Sequence, residues 1–219
     1  SWDLDIMDKL GIKTDIFMPL SLPGTEVGRL SPELVDELGF NATVYLPATH
    51  DTASAVMAVP NKGTPLYISS GTWSLMGIES PDEITSDLAD ESGFTNEGGY
   101  NKSVRFLKNI MGLWMIQCVK KELNDKYSFV DFVYLAKEAE GFESVVDVND
   151  LSFFAPESMI QAIKDYCAKT SQKVPETVGE VVRCIYKSLA ISYKDAVEQI
   201  ENITGKKFDT INIVGGGCQ

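Results

Sequence analysis

The sequence predicts a layered fold of the α/β or α+β class, and three segments carry that prediction. Two strand-like runs at 66–70 and 73–79 flank Ser70-Gly71-Thr72, which is typical of a β-hairpin. Residues 177–204 place apolar side chains at three- and four-residue spacing, which predicts a long helix packed on a core. Residues 208–214 alternate like a strand and lead into three glycines. A hairpin followed by helices and a further strand indicates mixed layers.

The first sixty residues alternate short helical patterns with turns. Ser31 and Pro32 suit the N-cap and first position of a helix, and Gly39 suits its end. The predicted elements here are helices at 2–10, 31–39 and 52–59 and a strand at 41–47.

The remainder adds a third short strand after the hairpin and then a mostly helical region. Thr177 and Glu180 form a T-x-x-E capping box at the start of the long helix, and Gly205 follows its last turn. The predicted elements are a strand at 103–107, helices at 109–123, 129–139, 156–168 and 177–204, and a strand at 208–214. Because a strand and glycine turn normally lead into a further element, we expect the chain to belong to a larger polypeptide.

Composition excludes several function classes. The 219 residues are 44% hydrophobic, which is ordinary for a folded protein, and 19 Lys+Arg against 32 Asp+Glu give a net charge of −13. No basic run is present to neutralise a phosphate backbone, so we expect neither nucleic acid nor an anionic membrane surface as partner. The sequence also lacks a run of about 20 apolar residues and a signal-peptide pattern, and we expect a cytoplasmic location.

The cysteines predict no structural metal site. The four of them are well separated, no C-x-x-C pair is present, and the chain has one histidine. We expect reduced thiols. Cys167 and Cys184 fall in neighbouring helical patterns that let them face one another, and a disulfide between them is the alternative.

His50-Asp51-Thr52 is the first candidate catalytic segment. A carboxylate beside a histidine at the junction of a strand and a helix suits a general base that takes a proton from a substrate hydroxyl. The alternative for Asp51 is an ordinary helix N-cap, and for His50 a packed or solvated side chain.

Two further segments suit the binding of phosphate or nucleotide. At the hairpin tip, backbone N–H groups and the Thr72 hydroxyl suit phosphate oxygens, and the alternative is a plain polar turn. Gly215, Gly216 and Gly217 after the last strand allow close approach of a nucleotide, although many ordinary turns share this pattern.

A row of polar residues is predicted on the helix at 109–123. Asn109 and Gln117 stand eight residues apart and are expected to share one face of this helix. The alternatives are that Asn109 is the N-cap and that Gln117 is a solvated polar residue.

Four motifs in this order resemble the FGGY carbohydrate kinases, and the resemblance spans nearly the whole chain. They are H-D-T-A-S-A-V at 50–56, I-S-S-G-T-W-S-L-M-G at 68–77, R-F-L-K-N-I-M-G-L-W at 105–114 and I-V-G-G-G-C-Q at 213–219. Within the family, the sequences of these motifs are most similar to those of the kinases that act on L-rhamnulose.

The resemblance implies a truncated α/β lobe of the ribonuclease-H-like type, as in the actin, Hsp70 and hexokinase superfamily. Residues 1–62 would end the first, sugar-binding lobe, and 63–219 would form an incomplete second, ATP-binding lobe. By similarity, Asp51 is the base, and the sugar contacts His50, Asp51, Thr52 and Asn109. By the same similarity, ATP contacts Thr72, Gln117, Gly215 and Gly216, and Asp51 faces Thr72 across an open groove.

The implied reaction is the phosphorylation of a ketose primary hydroxyl by ATP with Mg²⁺, converting L-rhamnulose to L-rhamnulose 1-phosphate. No residue of this chain is assigned to the metal. We expect these 219 residues alone to be inactive, because the first lobe would be missing. The alternatives are a kinase for another ketose or polyol, such as xylulose or fuculose, and a non-catalytic actin-like nucleotide-binding module. The sequence does not predict an oligomeric state.

Overall fold

A computed structural model describes residues 2–48, 50–60 and 65–218 of the chain. The chain divides into two compact units, 1–54 and 55–219. The predicted domain boundary at 62/63 falls outside the described residues and stays a prediction.

The N-terminal unit contains short helices and one two-stranded sheet. Helix α2 confirms its prediction, because the Ser31 hydroxyl accepts a hydrogen bond from Leu34 N and Gly39 ends the helix with φ 74°. The sheet pairs β1 and β2 in antiparallel fashion. The sequence predicts β2 but not β1. The elements are α1 Leu4–Lys9, a 3₁₀ turn Thr14–Ile16, β1 Glu26–Arg29, α2 Pro32–Leu38 and β2 Thr43–Tyr45, followed by α3 Asp51–Met57, which runs on into the second unit.

The second unit is built on a five-stranded sheet with strand order β5-β6-β4-β3-β7. The predicted hairpin is confirmed, since β3 and β4 pair in antiparallel fashion around the two-residue loop Gly71-Thr72. Strand β7 pairs with β3 in parallel, and β6 pairs with both β4 and β5 in antiparallel fashion. The strands are β3 Leu66–Ser70, β4 Trp73–Ser80, β5 Thr95–Gly98, β6 Val104–Met111 and β7 Ile211–Val214.

The predicted start of a helix at Asn109 is wrong. Strand β6 continues through Met111 because all eight of its residues pair with β4. The helix that follows begins only at Trp114. The other predicted helices are confirmed to within a few residues, whereas α4 and β5 are not predicted by the sequence analysis. The helices are α4 Asp87–Glu91, α5 Trp114–Glu122, α6 Phe129–Glu138, α7 Met159–Lys169 and α8 Val178–Thr204.

Helix α8 is the longest element and starts and ends where its sequence predicts. Thr177 Oγ1 accepts from Glu180 N at 3.1 Å, and the Glu180 carboxylate accepts from Thr177 N at 3.2 Å. Gly205 ends the helix in the left-handed conformation with φ 67°. These caps satisfy backbone groups that the helix itself leaves without partners.

One core fills the space between a face of the sheet and helices α5 to α8. Its fully buried side chains come from both layers, among them Leu66, Met76, Phe106, Met115, Phe132, Ile163 and Ile185. Cys167 and Cys184 are both buried in this core. Both thiols are free, and burial together with Cys167 raises the pKa of Cys184 to about 12. None of the helices in the described ranges is long and apolar enough to cross a membrane.

Candidate active site

The hairpin tip is fixed against the start of helix α5. Leu113 N donates to Gly71 O at 2.9 Å, and Trp114 N donates to Thr72 O at 3.1 Å. The Thr72 hydroxyl donates to Gln117 Oε1 at 3.3 Å, although the two residues are 45 apart in sequence. The structure therefore brings together two of the residues predicted at the nucleotide.

Gly112 makes this close approach possible. A Cβ added there would lie 2.6 Å from the carbonyl carbon of Trp73 and 2.8 Å from Gly71 O, and both of these atoms belong to the hairpin backbone. Contacts this short are essentially never observed for real Cβ atoms, so this position requires glycine. Gly112 belongs to the motif at 105–114, but the motif alone did not predict a role for it.

The predicted glycine turn lies at the same end of the sheet. Strands β3 and β7 are parallel and pair Ser69 with Val214, so Ser70 and Gly215 leave the sheet side by side. The carboxyl ends of parallel strands are where open α/β sheets bind ligands.

Gly215 and Gly217 are packed tightly, whereas Gly216 is open. Gly215 has φ +91°, and a Cβ there would lie 2.6 Å from Ser70 O. A Cβ on Gly217 would meet the Ser70 side chain, with Oγ at 2.2 Å, and Leu113 Cδ1 at 2.9 Å. A Cβ on Gly216 would meet nothing within 4 Å. The turn therefore rests on the hairpin and leaves Gly216 facing open space.

Asn109 lies elsewhere than its predicted position. It is an exposed residue of β6 paired with Leu75, so it does not share a helix face with Gln117 and it is not an N-cap. Directly paired residues project from the same face of a sheet. Asn109 therefore projects from the same face as Leu75, and its predicted contact with the sugar stays a prediction.

Asp51 belongs to the N-terminal unit, where its side chain is 94% exposed. Its Oδ1 accepts from Thr52 N at 2.6 Å and lies 3.3 Å from His50 Nε2. His50 O accepts from Ser54 N at 2.9 Å, so His50 rather than Asp51 occupies the N-cap. Among the described residues only Oδ1 is engaged, which leaves the second carboxylate oxygen open to a substrate hydroxyl. The predicted placement of Asp51 opposite Thr72 stays a prediction.

The side chains of the described residues determine whether the chain itself can hold a metal. The described part of the chain contains no group of three His, Cys, Asp or Glu side chains placed to bind an ion. Magnesium in nucleotide sites is commonly held through one or two carboxylates together with the phosphates.

Comparison with known proteins identifies the family. The sequence profile of the C-terminal domain of the FGGY family of carbohydrate kinases matches residues 66–219. The chain belongs to the FGGY family. Among its curated FGGY relatives, the rhamnulokinases of Oceanobacillus iheyensis and Halalkalibacterium halodurans are each 50% identical over 218 residues. The rhamnulokinase of Bacillus subtilis is 45% identical over 220 residues.

These alignments cover 99–100% of this chain but only 45–46% of each relative. The chain therefore spans a little under half the length of the curated FGGY proteins that it matches.

Solved structures confirm the fold class. The xylulose kinase of Rhodospirillum rubrum matches with a TM-score of 0.65 at 13% identity, covering 99% of this chain and 44% of that one. The ligand-bound xylulose kinase of Lactobacillus acidophilus matches with a TM-score of 0.61 at 16% identity, with the same coverage. The expected α/β lobe of the ribonuclease-H-like FGGY type is confirmed, in part of its full length.

Proposed function

We propose that the polypeptide containing this chain transfers the γ-phosphoryl group of ATP to the primary hydroxyl of L-rhamnulose, giving L-rhamnulose 1-phosphate. The observation that carries the proposal is the 50% identity to two rhamnulokinases over essentially the whole chain. The xylulose kinase structures are only 13–16% identical and support the fold alone.

The hairpin tip and the glycine turn would hold ATP. Thr72 is exposed, and its bond to Gln117 is long at 3.3 Å, so its hydroxyl can turn to a phosphate oxygen at little cost. Gly216 faces open space and Gly215 packs closely against the backbone of Ser70. Both features suit a nucleotide that approaches the backbone closely. Phosphoryl transfer depends mainly on such positioning and on charge stabilisation.

Asp51 would act as the general base. Its exposed carboxylate has one oxygen free among the described residues, so it can accept the proton of the sugar hydroxyl as that hydroxyl attacks phosphorus. His50, Thr52 and Asn109 would contact the sugar. Thr52 is buried and hydrogen-bonded to Asp51, which supports a role in holding the carboxylate in place.

The metal of the reaction would be Mg²⁺ bound to ATP, which neutralises phosphate charge. The described residues contain no group of three ligands for it, and no residue of this chain is assigned to the metal. The net charge of −13 supports small-molecule partners rather than nucleic acid or an anionic membrane surface. Four free cysteines support a reducing, cytoplasmic location.

A coupled ADP-release assay on the polypeptide expressed from the complete reading frame, called here the complete-frame polypeptide, tests the proposal. We expect L-rhamnulose to give a higher kcat/KM than xylulose or fuculose. Asp51→Asn should lower kcat by about 100-fold or more, because the proton acceptor is lost. Asp8→Asn, at an exposed position of α1, is the matched control and should keep normal turnover. Turnover of none of the sugars, or unchanged kcat in Asp51→Asn, would contradict the proposal.

A further inference from the structure

Two large aromatic rings lie exposed beside the hairpin tip. Trp73 directly follows Thr72 and is 42% exposed, and Phe154 is 58% exposed. Their ring centroids are 5.9 Å apart with the planes tilted by 54°. Single exposed apolar residues are common on protein surfaces, but adjacent aromatic rings next to a ligand-binding turn are typical of a contact surface.

The backbone holds both rings in place. Trp73 O accepts from Gly71 N at 2.9 Å, and Trp73 pairs with Met111 across the sheet. Met111 N donates to Asn149 Oδ1 at 3.0 Å, which ties the loop before Phe154 to the end of β6. Because little backbone freedom remains to be lost on binding, a ligand would meet a preorganised surface.

Strand register places Trp73 on the same sheet face as Asn109. Trp73 pairs with Met111 and Leu75 pairs with Asn109, and residues two apart on a strand share a face. The opposite face holds Ser74, whose hydroxyl lies 2.6 Å from Tyr193 Oη of helix α8. Trp73 therefore projects from the face opposite to Ser74, which is the face of Asn109, the residue expected to meet the sugar.

The nucleotide elements lie on the other flank of the hairpin. A Cβ on Gly217 would meet the side chains of Ser70 and Leu113. Ser70 pairs with Ser74 and so projects from the face that covers the core. The glycine turn thus approaches the hairpin from the side opposite to Trp73, which leaves the aromatic rings available to the second substrate.

We propose that Trp73 and Phe154 form an apolar platform that contacts the C–H groups of the sugar substrate. This inference rests on the proposed kinase function and adds a specificity-determining pair to it. A ketose carries C–H groups between its hydroxyls, and covering them with aromatic carbon removes apolar surface from water. A nucleobase would also stack on such rings, so the experiment has to distinguish the two.

Steady-state kinetics of the complete-frame polypeptide provide the first test. Trp73→Ala should raise KM for L-rhamnulose by about tenfold while KM for ATP changes less than about threefold. Trp73→Phe should stay within about threefold of the wild type, since an aromatic face remains. Tyr134→Ala removes an exposed ring, 62% accessible, from α6 and should leave both KM values unchanged. A rise in KM for ATP instead of the sugar, or no change in either, would overturn the platform.

Tryptophan fluorescence measures sugar binding without turnover. It also remains available if the Trp73→Ala variant fails to fold. The chain has three tryptophans, and we expect L-rhamnulose without ATP to change the emission of the wild type. Trp73→Phe should lose that change while remaining active. A sugar-dependent change that persists in Trp73→Phe would overturn the platform. If the fluorescence of the wild type changes with the sugar but the protein phosphorylates no ketose, the result would contradict the proposed function and not the platform.

Discussion

Substitution of Gly112 by alanine probes how the site is held together. Gly112 joins β6 to α5, and its Cα lies against the hairpin backbone so closely that a Cβ would sit 2.6 Å from the carbonyl carbon of Trp73. Ordinary Cβ contacts begin near 3.4 Å. The hairpin backbone therefore has to move about 0.8 Å away from the new methyl group. The contacting atoms belong to the backbone, so a change of side-chain rotamer cannot relieve the contact.

The cost follows from two terms. Forcing an extra methyl group into a packed position costs about 1–3 kcal/mol. The movement of the hairpin also lengthens the hydrogen bonds from Leu113 N to Gly71 O and from Trp114 N to Thr72 O, which are 2.9 and 3.1 Å. Each such bond contributes about 0.5–1.5 kcal/mol. We expect a loss of about 2–6 kcal/mol in the free energy of unfolding, which corresponds to a fall in Tm of about 4–24 °C for a domain of this size.

Differential scanning calorimetry of the complete-frame polypeptide measures this effect. Gly141→Ala is the matched control, because a Cβ there meets nothing within 4 Å and the residue is exposed. It should stay within about 0.5 kcal/mol of the wild type. Gly112→Ala should also raise KM for ATP, since Thr72 moves away from Gln117. A Tm of Gly112→Ala within about 2 °C of the wild type would refute the reasoning.

Three further predictions concern the glycine turn, the core and the response to acid. Gly215→Ala should lower kcat/KM for ATP by about tenfold and also lower Tm, because φ +91° costs a non-glycine residue about 1–2 kcal/mol. Gly216→Ala should leave Tm unchanged, so equal melting of the two variants would contradict the geometry. Ser188→Ala should cost about 1–3 kcal/mol in urea denaturation by leaving a core N–H without its acceptor, and a loss below about 0.5 kcal/mol would argue against that bond. A hydrogen bond from Lys173 holds the pKa of Glu180 below its ordinary 4.5, so its stabilising effect is present above pH 4.5 and is lost as the pH falls through the lower folded value. The difference in urea midpoint between the wild type and Glu180→Gln should therefore shrink between pH 5 and pH 3, and a constant difference would exclude this linkage.

The candidate site was predictable where local sequence governs the backbone. A Gly-Thr pair between two strand-like runs fixes a tight hairpin, and three glycines after a strand fix a turn. The resemblance to FGGY kinases then assigned roles to Thr72, Gln117 and Gly215 that composition and spacing alone left open. The structure places these three around one end of β3, and their shared role in binding the nucleotide stays a prediction.

The site was not predictable where contacts with residues distant in sequence determine the local conformation. The prediction that Asn109 and Gln117 share a helix face assumed a helix from residue 109. Pairing with β4 instead keeps the chain extended to Met111. The pairing of Trp73 with Phe154 depends on a loop more than 70 residues away, and nothing near either residue indicates it.

The sequence by itself determined the elements whose signals lie within a few residues, such as helix α8 with its capping box and its terminal Gly205. Those signals work because a cap or a turn satisfies or orients backbone groups of its own neighbours. Only the tertiary structure decided that the strand beginning at 104 continues to 111, that Gly112 must lack a side chain, and that Trp73 shares a face with Asn109. These features depend on cross-strand hydrogen bonds and close backbone contacts, and their partners come from separate stretches of the chain.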